Sequence, residues 1–314
     1  MQIRVLSDDD VRRLLDLDHL LDALARGFTA LSAGHVSAPS RNGVEVPAGF
    51  LLSMVAHAPD HPMGVKLVSV FHDNHRFGLP GHLALISLFD QQTGAPLAVM
   101  NGTYITAMRT AGAAALSTRL LARPESRTLA VVGAGVQGAA HVQMLSRVRA
   151  FTDIRVASAS LDDAQQLATL DARITPLASA EDAVRGADVV SLCTTSPTPV
   201  VHRAWLSPGT HVTSVGYRPP GSELASDVLD SARLFVETRL AYAAPPAGCA
   251  ELVGRDADQG TELGEVLLES RPGRESADQI TVYKSMGHAI EDLVAAQLVY
   301  ERAAREGVGS LVAL

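Results

Sequence analysis

Three glycines, Gly133, Gly135 and Gly138, stand between the apolar run 129–132 and an amphipathic run, and their spacing constrains the 314-residue chain more than any other feature. The order reads as strand, phosphate loop, helix. In such a loop the first glycine allows a tight turn, the second lets a pyrophosphate approach the backbone, and the third lets helix and strand pack closely. The N–H groups at the helix start, near Gly135, Val136 and Gln137, then face the phosphates. A ligand-free glycine turn has the same local pattern, so context decides between the two. Residues 129–132 are bounded by Thr128 and Gly133 like a buried parallel strand, and Val142, Leu145 and Val148 recur at helical spacing.

Downstream, strand and helix signals alternate. Strands are expected at 154–158, 173–177, 189–193, 211–215 and 233–236, with one intervening helix capped by Ser179. This alternation implies an α/β fold, a doubly wound parallel sheet of the Rossmann type with ligands at the carboxyl ends of its strands. Loops 193–197 and 215–221 then belong at the cofactor edge, with Thr194 and Thr195 as candidate contacts. An acid ending the second strand would hold a ribose 2′-OH, whereas an arginine would accept a 2′-phosphate. Here the strand runs out through Ser158, Ala159 and Ser160, and Asp162 and Asp163 come a little late. The hydroxyls of Ser158 and Ser160 suit either cofactor, which leaves NAD and NADP both open.

The first hundred residues follow another pattern. Ser7 before three aspartates marks a helix start, and Leu20, Leu24, Phe28 and Leu31 mark a second helix after Asp18 that stops at Gly34. Short apolar runs at 50–55, 64–70, 83–89 and 97–100 then predict a mostly antiparallel sheet, making this an α+β region. Lys66 interrupts one of these runs. It is either an outward lysine on a polar strand face or an ammonium group facing a ligand cavity, where burial near arginines would lower its pKa towards acid chemistry. A helix of small residues follows at 106–118 with Arg109 as its single cation and no acid within a turn. Such an arginine snorkels, pairs with a distant acid, or holds a ligand carboxylate through two parallel hydrogen bonds. A strand at 280–284 leads into a terminal helix ending near Gly307, which is expected to pack back on the first domain.

Composition narrows the partners. A net charge of −8 disfavours nucleic acid and anionic membranes, so a small molecule is the expected partner. Two cysteines make no disulfide framework, and the chain shows no signal core or apolar span of membrane length, so a cytoplasmic location is expected. His57, His61, His72, His75 and His82 cluster around Lys66, but their spacing matches no metal site; they are read as surface or substrate-pocket histidines.

Taken in order, several motifs together resemble the ornithine cyclodeaminase and mu-crystallin family, which also holds archaeal-type alanine dehydrogenases and cyclic ketimine reductases. They are Pro39-Ser40-Arg41, Gly64-Val65-Lys66-Leu67-Val68, the 90–96 turn with Thr93-Gly94, the run 106–111 around Arg109, the turn 132–137, and Lys284-Ser285-Met286-Gly287. The resemblance implies a substrate-binding and dimerisation domain over 1–123, completed by a C-terminal helix at 285–314, a Rossmann domain over 124–284, and a homodimer. It implies Arg41 and Arg109 as carboxylate-binding residues, Lys66 as the active-site lysine, and Ser285 and Gly287 as cofactor contacts.

One departure stands out. Cyclodeaminases of this family carry an aspartate in the loop after the fifth nucleotide-domain strand, and here that loop reads Gly216-Tyr217-Arg218-Pro219-Pro220-Gly221. Arg218 takes the acid's place, and Ala159 replaces an arginine associated with NADP in relatives. The expected activity is therefore NAD(P)H-dependent reduction of a small α-imino acid, reversible as an amino-acid dehydrogenation, with Arg218 as a further substrate-binding candidate. The alternatives are ornithine cyclodeamination, crystallin-like binding of NAD(P)H with a small ligand, and oxidative cleavage of a conjugated amino acid.

Overall fold

The computed structural model describes residues 1–313, apart from the side chain of His72, so that histidine lies outside the described side chains. In chain order the elements are β1 (Gln2–Leu6), α1 (Asp8–Leu14), α2 (Leu17–Ser32), β2 (Asn42–Val46), β3 (Gly49–Ala56), β4 (Met63–Val70), β5 (His82–Phe89), β6 (Pro96–Asn101) and α3 (Thr103–Leu121). There follow β7 (Thr128–Val132), α4 (Val136–Leu145), β8 (Asp153–Ala157), α5 (Leu161–Ala168), β9 (Ile174–Leu177), α6 (Ala180–Val184), β10 (Val189–Leu192), β11 (His211–Ser214), α7 (Ser226–Ser231) and β12 (Arg233–Val236). The chain ends with β13 (Thr261–Glu262), α8 (Leu263–Leu267), β14 (Thr281–Lys284), α9 (Ala289–Glu306) and β15 (Ser310–Ala313).

Two compact units result, Met1–Arg109 with Gly287–Leu314, and Thr110–Met286. The division falls inside α3, between Arg109 and Thr110. The second half of α3 is built into the second unit: Ser117 bonds His211 Nε2 at 3.1 Å, and Arg274 donates to the Leu121 carbonyl at 2.6 Å.

The first unit holds a seven-stranded sheet in the order β15-β1-β6-β5-β4-β3-β2. It is antiparallel except for β1 against β6. Strands β1, β2 and β15 were not anticipated: each is short, β2 and β15 are the sheet's edges and bury none of their residues, and β1, though inside the sheet, buries two of its five. The register places Met54, Lys66, Ile86 and Met100 side by side, all nearly inaccessible, so Lys66 points to the covered face. Helix α9 lies on that face: a Cβ on Gly64 would stand 2.8 Å from Leu293 Cδ1. Helix α2, capped by Asp16, supports α9 in turn, with a Cβ on Gly27 meeting Ile290 at 3.3 Å and Val294 at 3.5 Å. The opposite face alternates out of register with the first and leaves Leu51, Leu67 and Leu85 between 40% and 44% exposed.

The second unit holds eight strands, β13-β12-β14-β11-β10-β7-β8-β9, all parallel. Central strands β10, β11 and β14 are buried throughout, as a sheet with helices on both faces requires. Each βα crossover delivers a loop to the carboxyl edge, where the glycine turn lies.

The close seat of α9 on α2 has a measurable consequence. Gly27→Val forces two branched methyls against Ile290 and Val294 and should lower stability by about 1–3 kcal/mol in urea unfolding. An unchanged midpoint would contradict the tight α2–α9 contact.

Candidate active site

In the first unit, four charged side chains meet out of water. Lys66 Nζ lies 2.7 Å from Asp292 Oδ2, Arg109 Nε donates to Asp292 Oδ1 at 2.9 Å, and Arg109 Nη1 donates to Glu291 Oε2 at 3.1 Å. All four are buried. The distant acid foreseen as one option for Arg109 is thus real, and it is a pair on the first turn of α9. Sequence reading missed both acids, since carboxylates near a helix N-terminus are ordinarily explained by the dipole and by capping. Glu291 does close a capping box with His288.

Burial pushes Lys66 down to about 8, helped by Arg109 and opposed by Asp292 and Glu291. Burial would raise the Asp292 carboxyl, but Arg109 and Lys66 outweigh that and hold it below the usual range. His82, at the start of β5, is driven to about 4 by burial and by the charges of Lys66 and Arg109, so its imidazole is neutral near pH 7. Arg41 donates to the Gly287 carbonyl at 2.6 Å, and a Cβ on Gly287 would stand 2.4 Å from Arg109 Nη1. Gly287 thus lies against both arginines, and its φ of +71° suits a residue without a side chain.

The chain contains only two lysines, Lys66 and Lys284, and both are buried. Their surroundings differ. Lys284 pairs with Glu251 at 3.0 Å and donates to the Gly216 carbonyl at 2.5 Å and to Ser214 Oγ at 3.3 Å, which satisfies all three of its protons. Burial opposes its charge, but Glu251 and Glu223 prevail and raise its pKa. Lys66 has one acceptor, Asp292, among the described residues. An ammonium group buried with donors to spare is built to meet something further.

In the second unit, the glycine turn has the shape a pyrophosphate needs. A Cβ on Gly133 would stand 2.5 Å from the Cys193 carbonyl, and one on Gly138 would stand 2.0 Å from the Gly133 carbonyl, whereas Gly135 faces open space. Gly135 caps α4 without a side chain, and Val136 is 72% exposed, so the N–H groups at the helix start are accessible. Gln137 Oε1 is buried without a partner among the described residues. Gly133 N donates to the Ala157 carbonyl at 2.8 Å, which ties the turn to the end of β8, where Ser158 and Ser160 follow. Ser160 caps α5 without using its hydroxyl for a cap hydrogen bond. These features fit a dinucleotide bound through its phosphates.

Glu223 organises the neighbouring loops. Its carboxylate accepts from Thr194 N at 2.9 Å, Thr194 Oγ1 at 2.8 Å, Ser214 Oγ at 2.7 Å and Gly216 N at 2.6 Å. The Thr194 hydroxyl proton is thereby spent, as is that of Ser285, which goes to Glu237 at 2.6 Å. Arg218 donates to the Thr195 carbonyl at 3.2 Å and lies in the exposed part of its loop. No three of the described His, Cys, Asp or Glu side chains form a cluster able to hold a metal ion.

With this geometry established, the likeness to known proteins is broad. Mouse ketimine reductase mu-crystallin is 37% identical over 286 residues, 90% of each chain. A structure of Thermococcus litoralis Δ1-pyrroline-2-carboxylate reductase in complex with NADH and L-proline superposes with a TM-score of 0.93 at 33% identity, covering 99% of this chain and 100% of the other. An archaeal alanine dehydrogenase dimer with bound NAD gives 0.90 at 30% identity over the full length of both chains. The sequence profile of the ornithine cyclodeaminase/mu-crystallin family matches residues 1–307, so the chain that carries this glycine turn and this lysine belongs to that family.

Proposed function

We propose that the chain is an NAD(P)H-dependent reductase of a small α-imino acid, either a cyclic ketimine or the imine of a keto acid and an amine, and that it runs in reverse as an amino-acid dehydrogenase. The observation that carries this reading is Lys66, buried beside Arg109 with protons unmatched by acceptors. When bound, the nicotinamide cofactor supplies the hydride. Arg41 and Arg109 take the substrate carboxylate, with Arg109 held in a fixed orientation by the α9 acids; this is a positioning effect. Lys66 delivers a proton to the imine nitrogen and withdraws it in the reverse direction.

Cyclodeamination is disfavoured by the loop at 216–221. Arg218 occupies the place of the expected acid, and the nearest buried carboxylate, Glu223, has four donors on its two oxygens and no basic lone pair to offer. We assign Arg218, which is exposed, as a candidate for a second carboxylate on a substrate side chain, and Ser158, Ser160, Thr195 and the turn around Gly135 to Gly138 as candidates for the cofactor. We place the enzyme in the cytoplasm, where its two free thiols stay reduced. No described helix is long and apolar enough to cross a membrane.

A second copy of the chain is the natural cover for the exposed sheet face. Leu51, Leu67 and Leu85 project from three adjacent strands, and an apolar face of that extent on a lone subunit would be left against water.

A spectrophotometric screen tests the reading: NADH and NADPH against five- and six-membered cyclic ketimine acids, pyruvate with ammonia or methylamine, and ornithine. Cofactor oxidation with an imino acid is expected, and proline formation from ornithine without net cofactor change would restore the cyclodeaminase. Lys66→Met should lower kcat by about 10²- to 10⁴-fold with little change in NADH affinity. Because the protonated amine is the donor, reduction should fall as pH rises through about 8 and the reverse oxidation should rise over the same range. Sedimentation should give a dimer for the native chain and a monomer for Leu67→Lys with Leu85→Lys; a native monomer would remove the proposed interface.

A further inference from the structure

We infer that Asp292 is a positioning residue that acts through Lys66, keeping its ammonium group charged and aimed while steadying Arg109. The inference deepens the reductase reading and rests on it for its meaning, although its test does not require turnover.

The argument begins with solvation. An ammonium group almost without exposure loses its hydration, so its neutral form is favoured unless a fixed anion stands close. From α9, Asp292 supplies that anion at 2.7 Å and Glu291 adds a second carboxylate. From α3, Arg109 opposes them, and from the start of β5 His82 is neutral. Asp292 meets both cations, one oxygen on each. Its placement is enforced locally, since α9 starts at a His288–Glu291 capping box and is pressed on Gly64 and Gly27. Glu291, by contrast, is spent on Arg109 and on the His288 N–H at 2.6 Å.

With Asp292 removed, Lys66 keeps its burial and its repulsion from Arg109 and loses the nearest counter-charge. The amine then loses its proton at a lower pH, so that a smaller share of the sites can give a proton at neutral pH. A carboxylate of purely structural value would lower activity at every pH alike; one acting through Lys66 moves the pH at which activity is lost.

A chain with two lysines permits a direct reading. Protein labelled with [ε-13C]lysine gives two resonances, and Lys66→Met assigns them. The Lys66 signal should titrate near 8 in the native protein and near about 7 or below in Asp292→Asn. The Lys284 signal, fixed by Glu251 and the Gly216 carbonyl, should not move between the two. The basic limb of the pH profile for NADH oxidation with Δ1-pyrroline-2-carboxylate should shift by the same amount. An unmoved Lys66 midpoint, or an equal shift of both lysines, would overturn the inference. Native protein that titrates as expected yet reduces no imino acid would leave the inference standing and sink the reductase reading. If Asp292→Asn does not fold, Lys66→Met with Asp292→Asn should fold, because both buried charges leave together; a double variant that also fails to fold would contradict action through Lys66.

Discussion

Burying Lys66, Arg109, Glu291 and Asp292 together is costly unless every charge has its counterpart, and the first unit is shaped by that requirement. Two cations face two anions across a strand, a helix and a second helix far apart in sequence, with separations of 2.7 to 3.1 Å. The sheet places Lys66 on the covered face, α9 brings the acids down on it, and α2 keeps α9 there. Arg41 adds one positive charge near Gly287. Three cations and two anions thus stand together in the first unit. Its local fields are strong because little water is present to weaken them.

The second unit solves a different problem with different means. Its binding edge is made of backbone: a turn in which carbonyl oxygens fill the side-chain places of Gly133 and Gly138 while Gly135 faces open space, and helix N–H groups left open. Two buried carboxylates keep that edge rigid. Glu223 joins the loops after β10 and β11, and Glu237 holds the Ser285 hydroxyl and the Met286 N–H. Lys284, neutralised by Glu251, ties the Gly216 loop to the end of β14. The second lysine of the chain thus fixes structure, while the first retains capacity to donate, and the contrast comes from the number of acceptors around each.

How much of this was legible in the sequence follows from the distance over which each interaction acts. The glycine turn, the alternating strands and helices around it and the capped α1 depend on neighbours within a few residues, and the pattern 133, 135, 138 declares its own geometry. Lys66 and Arg109 stood out because a cation in an apolar run is locally unexplained. Their partners did not stand out, because Glu291 and Asp292 lie far along the chain and a helix start already accounts for acids. Strands β1, β2 and β15 were missed for a related reason: their pairing comes from tertiary neighbours, and two of the three have no buried residues to leave a periodic trace. The close approach of Arg109 to Gly287 left no local trace either, since a glycine in a motif does not show which neighbour crowds it.

The central claim is that the site moves a hydride onto the α-carbon of an imino acid while a buried lysine supplies the proton. It is tested most directly by reducing Δ1-pyrroline-2-carboxylate with NADH deuterated at both C4 positions and examining the proline formed by mass spectrometry and NMR. The account predicts one deuterium per molecule, on the α-carbon, with one NADH consumed for each proline. Proline without deuterium, or formed with no matching loss of NADH, would contradict it.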